Sequence, residues 1–175
     1  MGCQVEPEWD DVGSFVARHG DGILRFAFLL TGGRAAEAED IVQNVLMRLT
    51  ERGLHGIEEP WAYCRRAVVN EHSSMARRAL VAFHALPRLV SAPDTEPTNA
   101  VDDRRAMLIA LSRLRPRERD AIVMRYYEDL DDQTIAAEIG CKQSTVRSLI
   151  HRALPKLKDA LDSDDTNPTP AEDSQ

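Results

Sequence analysis

Apolar residues recur at helical spacing along most of the chain, and no segment alternates with period two for long enough to predict a strand. The clearest amphipathic stripe lies within residues 35–52. Two shorter patterns, at residues 10–18 and 22–31, predict helices before it. Pro60 predicts the start of a long helix that runs to about residue 80, because proline is favoured in a first helical turn. The pattern therefore predicts an all-α protein.

The helical pattern stops between residues 83 and 103, where three prolines occur and no apolar stripe continues. We interpret residues 83–103 as a flexible linker between two small helical domains, residues 10–82 and residues 104–161. Residues 1–9 form an N-terminal segment. The acidic residues 162–175 carry two prolines and almost no apolar side chain, so we expect a disordered tail.

Composition excludes several classes of protein. The chain has 175 residues, of which 43% are hydrophobic, as in an ordinary water-soluble domain. No apolar run approaches the length of a membrane span, and the acidic start does not resemble a secretory signal, so we expect a cytoplasmic protein without membrane insertion. The three cysteines are far apart and form no CxxC pair, so neither a zinc site nor a disulfide framework is expected. No cofactor is predicted.

The net charge of −7 conceals an uneven distribution. Residues 104–161 carry 12 basic and 8 acidic side chains, whereas residues 162–175 carry five acidic side chains and no basic one. A basic segment within an acidic protein is typical of a nucleic-acid contact.

Within this basic segment, the pattern predicts a helix-turn-helix. Asp131 can cap a first helix, Gly140 can supply the turn, and a second helix follows. The second helix presents short polar donors and cations on the face opposite its apolar stripe, as a helix in the DNA major groove requires. These residues are Ser144, Thr145, Arg147, Ser148, His151 and Arg152. A structural helical hairpin with a solvated charged face remains an alternative, although the nearby arginines between 113 and 119 favour DNA.

An enzyme has little support in the sequence. The chain contains no glycine-rich phosphate loop, no GxSxG motif and no cluster of residues at metal-ligand spacing. The alternative that stays open on the helix-turn-helix alone is a stand-alone transcriptional regulator that binds an operator as a dimer.

Two sets of motifs resemble one family. The second half is similar to region 4 of bacterial extracytoplasmic-function (ECF) RNA polymerase sigma factors, in RYYEDL at residues 125–130 and in TVRS at residues 145–148. A LuxR-type effector domain shares a similar helix-turn-helix, so this half alone does not separate the two. AEAEDIVQNVLMRL at residues 36–49 resembles region 2.2 of the same sigma factors. PWAY at residues 60–63 with the following basic residues resembles region 2.4, and N-x-H-x-S from Asn70 resembles the SigE-type subgroup.

The resemblance implies a non-catalytic subunit that directs promoter-specific transcription initiation. Its implied partners are core RNA polymerase, through the β′ clamp and the β flap, and promoter DNA, with an anti-sigma factor as a further candidate. Implied contacts to core polymerase are Glu39, Asp40, Gln43 and Leu46. Implied contacts to the melted −10 element are Trp61, Tyr63, Arg65, Arg66, Asn70, Arg77 and Arg78. Implied contacts to the −35 duplex are Arg117, Arg119, Gln143, Ser144, Thr145, Arg147, Ser148, His151 and Arg152.

Two residues depart from the pattern expected of the recognition helix. Lys142 stands where a helix cap such as serine is usual, and lysine is a poor N-cap. Pro155 removes one backbone donor, so we expect the helix to kink or end there.

Overall fold

The computed structural model describes the backbone of residues 11–83 and 99–164, and the side chains of residues 11–78 and 103–162. These described residues form seven α-helices and contain no β-strand, which confirms the all-α prediction. In chain order the helices are α1 (Val12–Thr31), α2 (Ala35–Arg52), α3 (Pro60–Phe83), α4 (Asn99–Ser112), α5 (Pro116–Tyr126), α6 (Asp132–Ile139) and α7 (Gln143–Asp164).

Helices α1, α2 and α3 pack on one another and form the first half of the molecule. The prediction of two separate helices before α2 is wrong, because α1 is continuous from Val12 to Thr31. Its interior glycine, Gly22, has a packing reason: a Cβ atom there would lie 3.2 Å from the Trp61 ring, so the missing side chain lets the indole approach the helix backbone.

Helices α5, α6 and α7 pack on one another, and α4 packs along α7. Asp131 caps α6 as predicted, since its Oδ1 accepts a hydrogen bond of 2.7 Å from the Thr134 amide. Gly140 ends α6 at φ 70°, a left-handed conformation that favours glycine.

Pro155 does not end α7, although an end there is one of the two outcomes that the sequence predicts for it. The helix continues to Asp164, and beyond the proline Leu157 packs against the core while Ala160 is buried. The proline removes one backbone hydrogen bond, but it is exposed, so this loss falls on the solvent side of the helix. Burial of the later side chains offsets it.

Helix α4 begins at Asn99, inside the segment 83–103 that the sequence predicts as a linker. Residue 83 belongs to α3, and residues 162–164 of the predicted tail 162–175 belong to α7 rather than to a disordered segment. The remaining residues of the predicted linker, 84–98, lie outside the described residues, as do the N-terminal segment 1–9 and residues 165–175 of the tail.

The two halves pack directly against each other. Helix α1 contacts α4 and α5, and α3 contacts α5 and α6. The buried apolar side chains of both halves form one continuous cluster, in which Leu111 and Leu114 of the second half join Phe26 and Leu30 of the first. Local periodicity predicts the helices but carries no information on this packing between them.

Within residues 11–83 and 99–164, no helix is both long enough and apolar enough to cross a membrane. The same part of the chain contains no group of three or more His, Cys, Asp or Glu residues arranged to hold a metal ion.

Gly32 gives a test of the packing between the halves. It has φ 70°, and a Cβ atom there would meet Arg119 Nη1 at 2.5 Å and the Ser112 Cα at 2.9 Å. Gly140 has the same φ with nothing within 4 Å of that position. We expect Gly32→Ala to lower the free energy of unfolding in urea by about 1–3 kcal/mol more than Gly140→Ala, since only Gly32 adds a steric clash to the backbone strain. Equal losses would contradict the close contact at Gly32.

Candidate polymerase and nucleic-acid interfaces

The exposed face of α2 carries the residues predicted to contact core polymerase. Glu39, Asp40 and Gln43 are exposed, and Leu46 is half-buried at the edge of the apolar stripe. The stripe itself packs inward and fixes the rotation of the helix, so these polar side chains must face outward. Next to Glu39 a groove of about 320 Å³ lies between α1 and α2, and Phe28 contributes to its apolar lining. The structure brings these four predicted residues together on one surface.

The predicted −35 residues of α7 also share one surface. The buried residues Val146, Leu149 and Ala153 hold the helix against the second half of the core. On the opposite side Thr145 is half-buried, and the other predicted residues of the helix are exposed: Gln143, Ser144, Arg147, Ser148, His151 and Arg152. Lys142 precedes the helix, and its carbonyl oxygen accepts a hydrogen bond of 2.9 Å from the Thr145 amide.

Carboxylates orient the cations at this surface. Asp132 pairs with Arg125 of α5 and accepts a 2.8 Å hydrogen bond from Nε of Arg147. Glu118 accepts a bond of 2.7 Å from Nζ of Lys156, a residue that sequence analysis did not select. Burial alone would raise the pKa of Glu118, but the hydrogen bonds from Lys156 and from the Arg115 amide outweigh it and lower that pKa. The carboxylate therefore stays ionised and holds α5 to α7.

Four of the predicted −10 residues lie exposed on α3, namely Arg66, Asn70, Arg77 and Arg78. Arg78 donates a hydrogen bond of 2.9 Å to Glu71, which also accepts one of 2.8 Å from Arg48 of α2. Burial would raise the pKa of Glu71, and the two arginines together lower it. Three basic side chains and one ionised carboxylate leave this face positively charged.

The two predicted aromatic residues are half-buried near the start of α3. Trp61 lies beside His19 of α1 with ring centroids 5.8 Å apart, and its Nε1 donates a 2.9 Å hydrogen bond to Glu128 of the second half. The guanidinium carbon of Arg52 lies 5.2 Å from the centroid of the Tyr63 ring, within the range of a cation–π contact.

Arg65 is buried between the two halves, with only 9% of its side chain exposed. Its Nη2 donates a 2.7 Å hydrogen bond to Glu138 of α6, its Nε donates to both oxygens of the same carboxylate, and its Nη1 lies 3.4 Å from Glu128. Burial would lower the pKa of the guanidinium, but the two carboxylates outweigh it and raise that pKa. The guanidinium of Arg65 therefore stays charged, and its hydrogen bonds to Glu138 join α3 to α6.

A second polar contact joins α3 to α5. Nδ1 of His72 and Oδ1 of Asp120 lie 2.8 Å apart, and both side chains are almost wholly buried. Arg119, a predicted −35 residue, is also buried there and donates a 3.3 Å hydrogen bond to the Leu111 carbonyl. Burial, with the nearby cation of Arg34, lowers its pKa to about 10. Arg65 and Arg119 are thus buried, whereas most other residues predicted to contact the −10 and −35 elements are exposed or half-buried.

Sequence analysis missed the acidic partners of this contact. Glu138 falls three residues after Ile135 on the buried stripe of α6, and Arg65 follows buried Cys64 on α3. Charged residues on the apolar stripe of a helix are the only local signal of a buried pair, and that signal does not identify the partner. Glu128 and Asp120 gave no such signal.

The comparisons with known proteins agree with this architecture. Residues 110–159 match the family model described as "Sigma-70, region 4". The chain is 29% identical over 153 residues to the RNA polymerase sigma-E factor of Streptomyces avermitilis, covering 86% of this chain and 85% of that protein. It is 33% identical over 165 residues to the ECF RNA polymerase sigma factor SigE of Mycolicibacterium smegmatis, covering 89% of this chain and 62% of that protein. Together these similarities support an ECF RNA polymerase sigma factor.

Solved structures have the same fold. The sigma factor RpoE of Bartonella quintana, solved in complex with the anti-sigma factor NepR, matches with a TM-score of 0.71 at 21% identity, covering 86% of this chain and 96% of that one. SigJ of Mycobacterium tuberculosis matches with a TM-score of 0.61 at 22% identity, covering 85% of this chain and 53% of that one. Promoter-directed transcription initiation is the function that these named relatives support, and the stand-alone dimeric regulator is not favoured.

The contact between Arg65 and Glu138 gives a prediction about the packing of the two halves against each other, which we call the closed arrangement. Glu138→Gln removes the charge of one buried partner, which commonly costs about 3–5 kcal/mol because the remaining charge is left uncompensated. The matched control is Glu37→Gln, which removes a carboxylate 2.8 Å from Arg34 in a pair that is about one-third exposed. We expect that control to cost less than about 1 kcal/mol.

Urea unfolding would measure both losses, and small-angle X-ray scattering would report separation of the halves as an increased radius of gyration. If Glu138→Gln behaved like Glu37→Gln in both measurements, the buried pair would not hold the halves together.

Proposed function

We propose that this ECF sigma factor binds core RNA polymerase through the exposed row on α2 and reads promoter DNA through two separate surfaces. The −35 element is read as duplex by α7, and the melted −10 element is bound by the face of α3. The observation that carries the proposal is the exposed face of α7, the second helix of a helix-turn-helix. This face presents hydrogen-bond donors and cations, and the buried residues Val146, Leu149 and Ala153 lie on the opposite side of the helix.

The length of that face suits a major groove. From Gln143 to Arg152 the helix rises about 14 Å at 1.5 Å per residue, and the groove is about 12 Å wide. Ser144 and Ser148 are short enough to contact phosphates or base edges, and Arg147 and Arg152 can contact guanine or phosphates. Arg117 of α5 adds a cation for the flanking backbone.

The α3 face suits a single strand. Arg66, Arg77 and Arg78 supply phosphate contacts, Asn70 can bond a base edge, and the rings of Trp61 and Tyr63 can stack on unpaired bases. In the closed arrangement Glu128 accepts a hydrogen bond from the indole N–H of Trp61, and Glu138 accepts hydrogen bonds from Arg65. These carboxylates take the positions that nucleic-acid phosphates and bases would take.

Binding of both promoter elements therefore requires the two halves to separate. The contact between them contains polar atoms without a hydrogen-bond partner among the described residues, namely Nε of Arg119 and Oδ2 of Asp120. Unsatisfied buried groups carry a desolvation penalty of about 1–3 kcal/mol each, which weakens the contact and favours its exchange for polymerase and DNA. Separation exposes Trp61, Arg65 and Arg119.

The proposed domains follow the same division. Residues 10–82 act on core polymerase and the −10 element, residues 104–161 act on the −35 element, residues 83–103 connect them, and 162–175 is an acidic tail. The described start of α4 at Asn99 extends the second domain toward the linker. We further propose that the protein is a non-catalytic subunit in the bacterial cytoplasm. An anti-sigma factor is a further proposed partner, because the similar RpoE of Bartonella quintana was solved with one.

Run-off transcription tests the function directly. Bacterial core RNA polymerase is incubated with a pooled promoter library, with and without this protein, and new transcript ends are mapped. Discrete new start sites that share two upstream elements are expected. Silence together with tight operator binding by the free protein would instead indicate the stand-alone regulator.

The recognition surface is tested by His151→Ala, with Lys158→Ala as the control because Lys158 is exposed on the same helix outside the proposed surface. We expect His151→Ala to lower transcription from the selected promoters by about 5- to 150-fold, the effect of losing one base contact of 1–3 kcal/mol. Lys158→Ala should stay within about twofold of the unchanged protein. Equal effects of the two variants would contradict the assignment.

The core-binding surface is tested by the double variant Asp40→Ala, Gln43→Ala. Glu51→Ala is the control, because Glu51 is exposed at the far end of α2. We expect the double variant to weaken binding to core polymerase by at least about tenfold in fluorescence anisotropy, because polar contacts to a partner are lost, and to leave helical content unchanged. Binding that is as tight as that of Glu51→Ala would exclude this face of α2.

A further inference from the structure

A cleft of about 640 Å³ lies between α3 and the packed helices α5, α6 and α7. Four arginines from three helices and the residue before α5 line it, and all four are exposed. They are Arg77, Arg115, Arg117 and Arg152. The cleft exists only where the two halves pack together, because its walls come from both of them.

The acidic residues of the cleft do not neutralise these arginines. Glu138 is held by Arg65, and Glu118 by Lys156, through hydrogen bonds of 2.7 Å in each case. Both carboxylates belong to the lining of the cleft, and both are buried. Glu118 also accepts a 3.3 Å hydrogen bond from the Arg115 amide, and Nε of Arg152 lies 3.9 Å from it. The surface of the cleft therefore carries excess positive charge.

Other donors face the same region. Asn70 and Ser73 of α3 add neutral hydrogen-bonding groups to the opposite wall.

We propose that this cleft binds a short polyphosphate chain, either free or carried by a nucleoside. Guanidinium groups match phosphate oxygens in a bidentate geometry, and four of them around one cavity suit an anion with several phosphates. A volume of about 640 Å³ exceeds the space that one phosphate ion needs and lies within the usual range for small-molecule sites.

Binding there has a consequence that rests on the proposed function. Asn70 and Arg77 belong to the proposed −10 surface, and Arg117 and Arg152 to the proposed −35 surface. A polyphosphate held between them stabilises the closed arrangement and competes with promoter DNA. By thermodynamic linkage, assembly of the open complex must weaken polyphosphate binding by the same factor.

Isothermal titration of the full chain, without polymerase or DNA, tests the site independently of the proposed function. The probes are tripolyphosphate and GTP. The variant is Arg115→Ala, Arg117→Ala, and the matched control is Arg104→Ala, Arg105→Ala, which removes two exposed arginines of α4 that do not line the cleft. We expect one equivalent to bind, a loss of at least about tenfold in affinity in the variant, and a change below about twofold in the control.

Each outcome decides the question. Tighter binding of GTP than of tripolyphosphate would support the site and assign a contact to the nucleoside, and equal binding would support a site for the phosphate chain alone. No binding, or equal weakening by both double variants, would overturn it as non-specific charge attraction. Arg115→Ala alone, an exposed change outside the proposed DNA surfaces, should weaken binding with circular dichroism unchanged; unaltered affinity would also overturn the site.

Discussion

The buried guanidinium of Arg65 is the interaction on which the relation between the two halves depends. It projects from α3 into the second half of the molecule, where Glu138 binds it through several hydrogen bonds and Glu128 lies within ion-pair distance. A buried cation without such partners would be strongly unfavourable, so the position of α6 against α3 is constrained by this charge. The contact between His72 and Asp120 fixes α5 against the same helix.

This arrangement connects the packing of the two halves with the proposed function. Glu128 and Glu138 hold side chains that the proposed −10 surface needs, and the second half buries Arg119 of the proposed −35 set. The face of α7 that carries the predicted −35 residues is exposed in this structure, and so are the predicted polar contacts of α2. Under the proposed function, contact with polymerase and the −35 duplex begins while the halves are packed together, and capture of the melted strand follows their separation.

The helices themselves were largely predictable, because each depends on local periodicity, caps and glycines. The bounds of α2 and the Asp131 cap of α6 agree with the sequence, as does the turn at Gly140. The errors have physical causes. Gly22 suggested a helix boundary but instead accommodates Trp61, and Pro155 suggested an end although the residues after it pack on the core.

The sequence by itself determined the fold class, the motifs of both halves and the composition of the exposed surfaces, since amphipathic spacing fixes which side of each helix faces the solvent. Only the tertiary structure placed Arg65 and Arg119 in the interior, paired Trp61 with Glu128, and formed the arginine-lined cleft. These features bring residues of the first half against residues of the second. Such contacts depend on how the two halves pack against each other, and the local pattern of residues within one helix does not specify that packing.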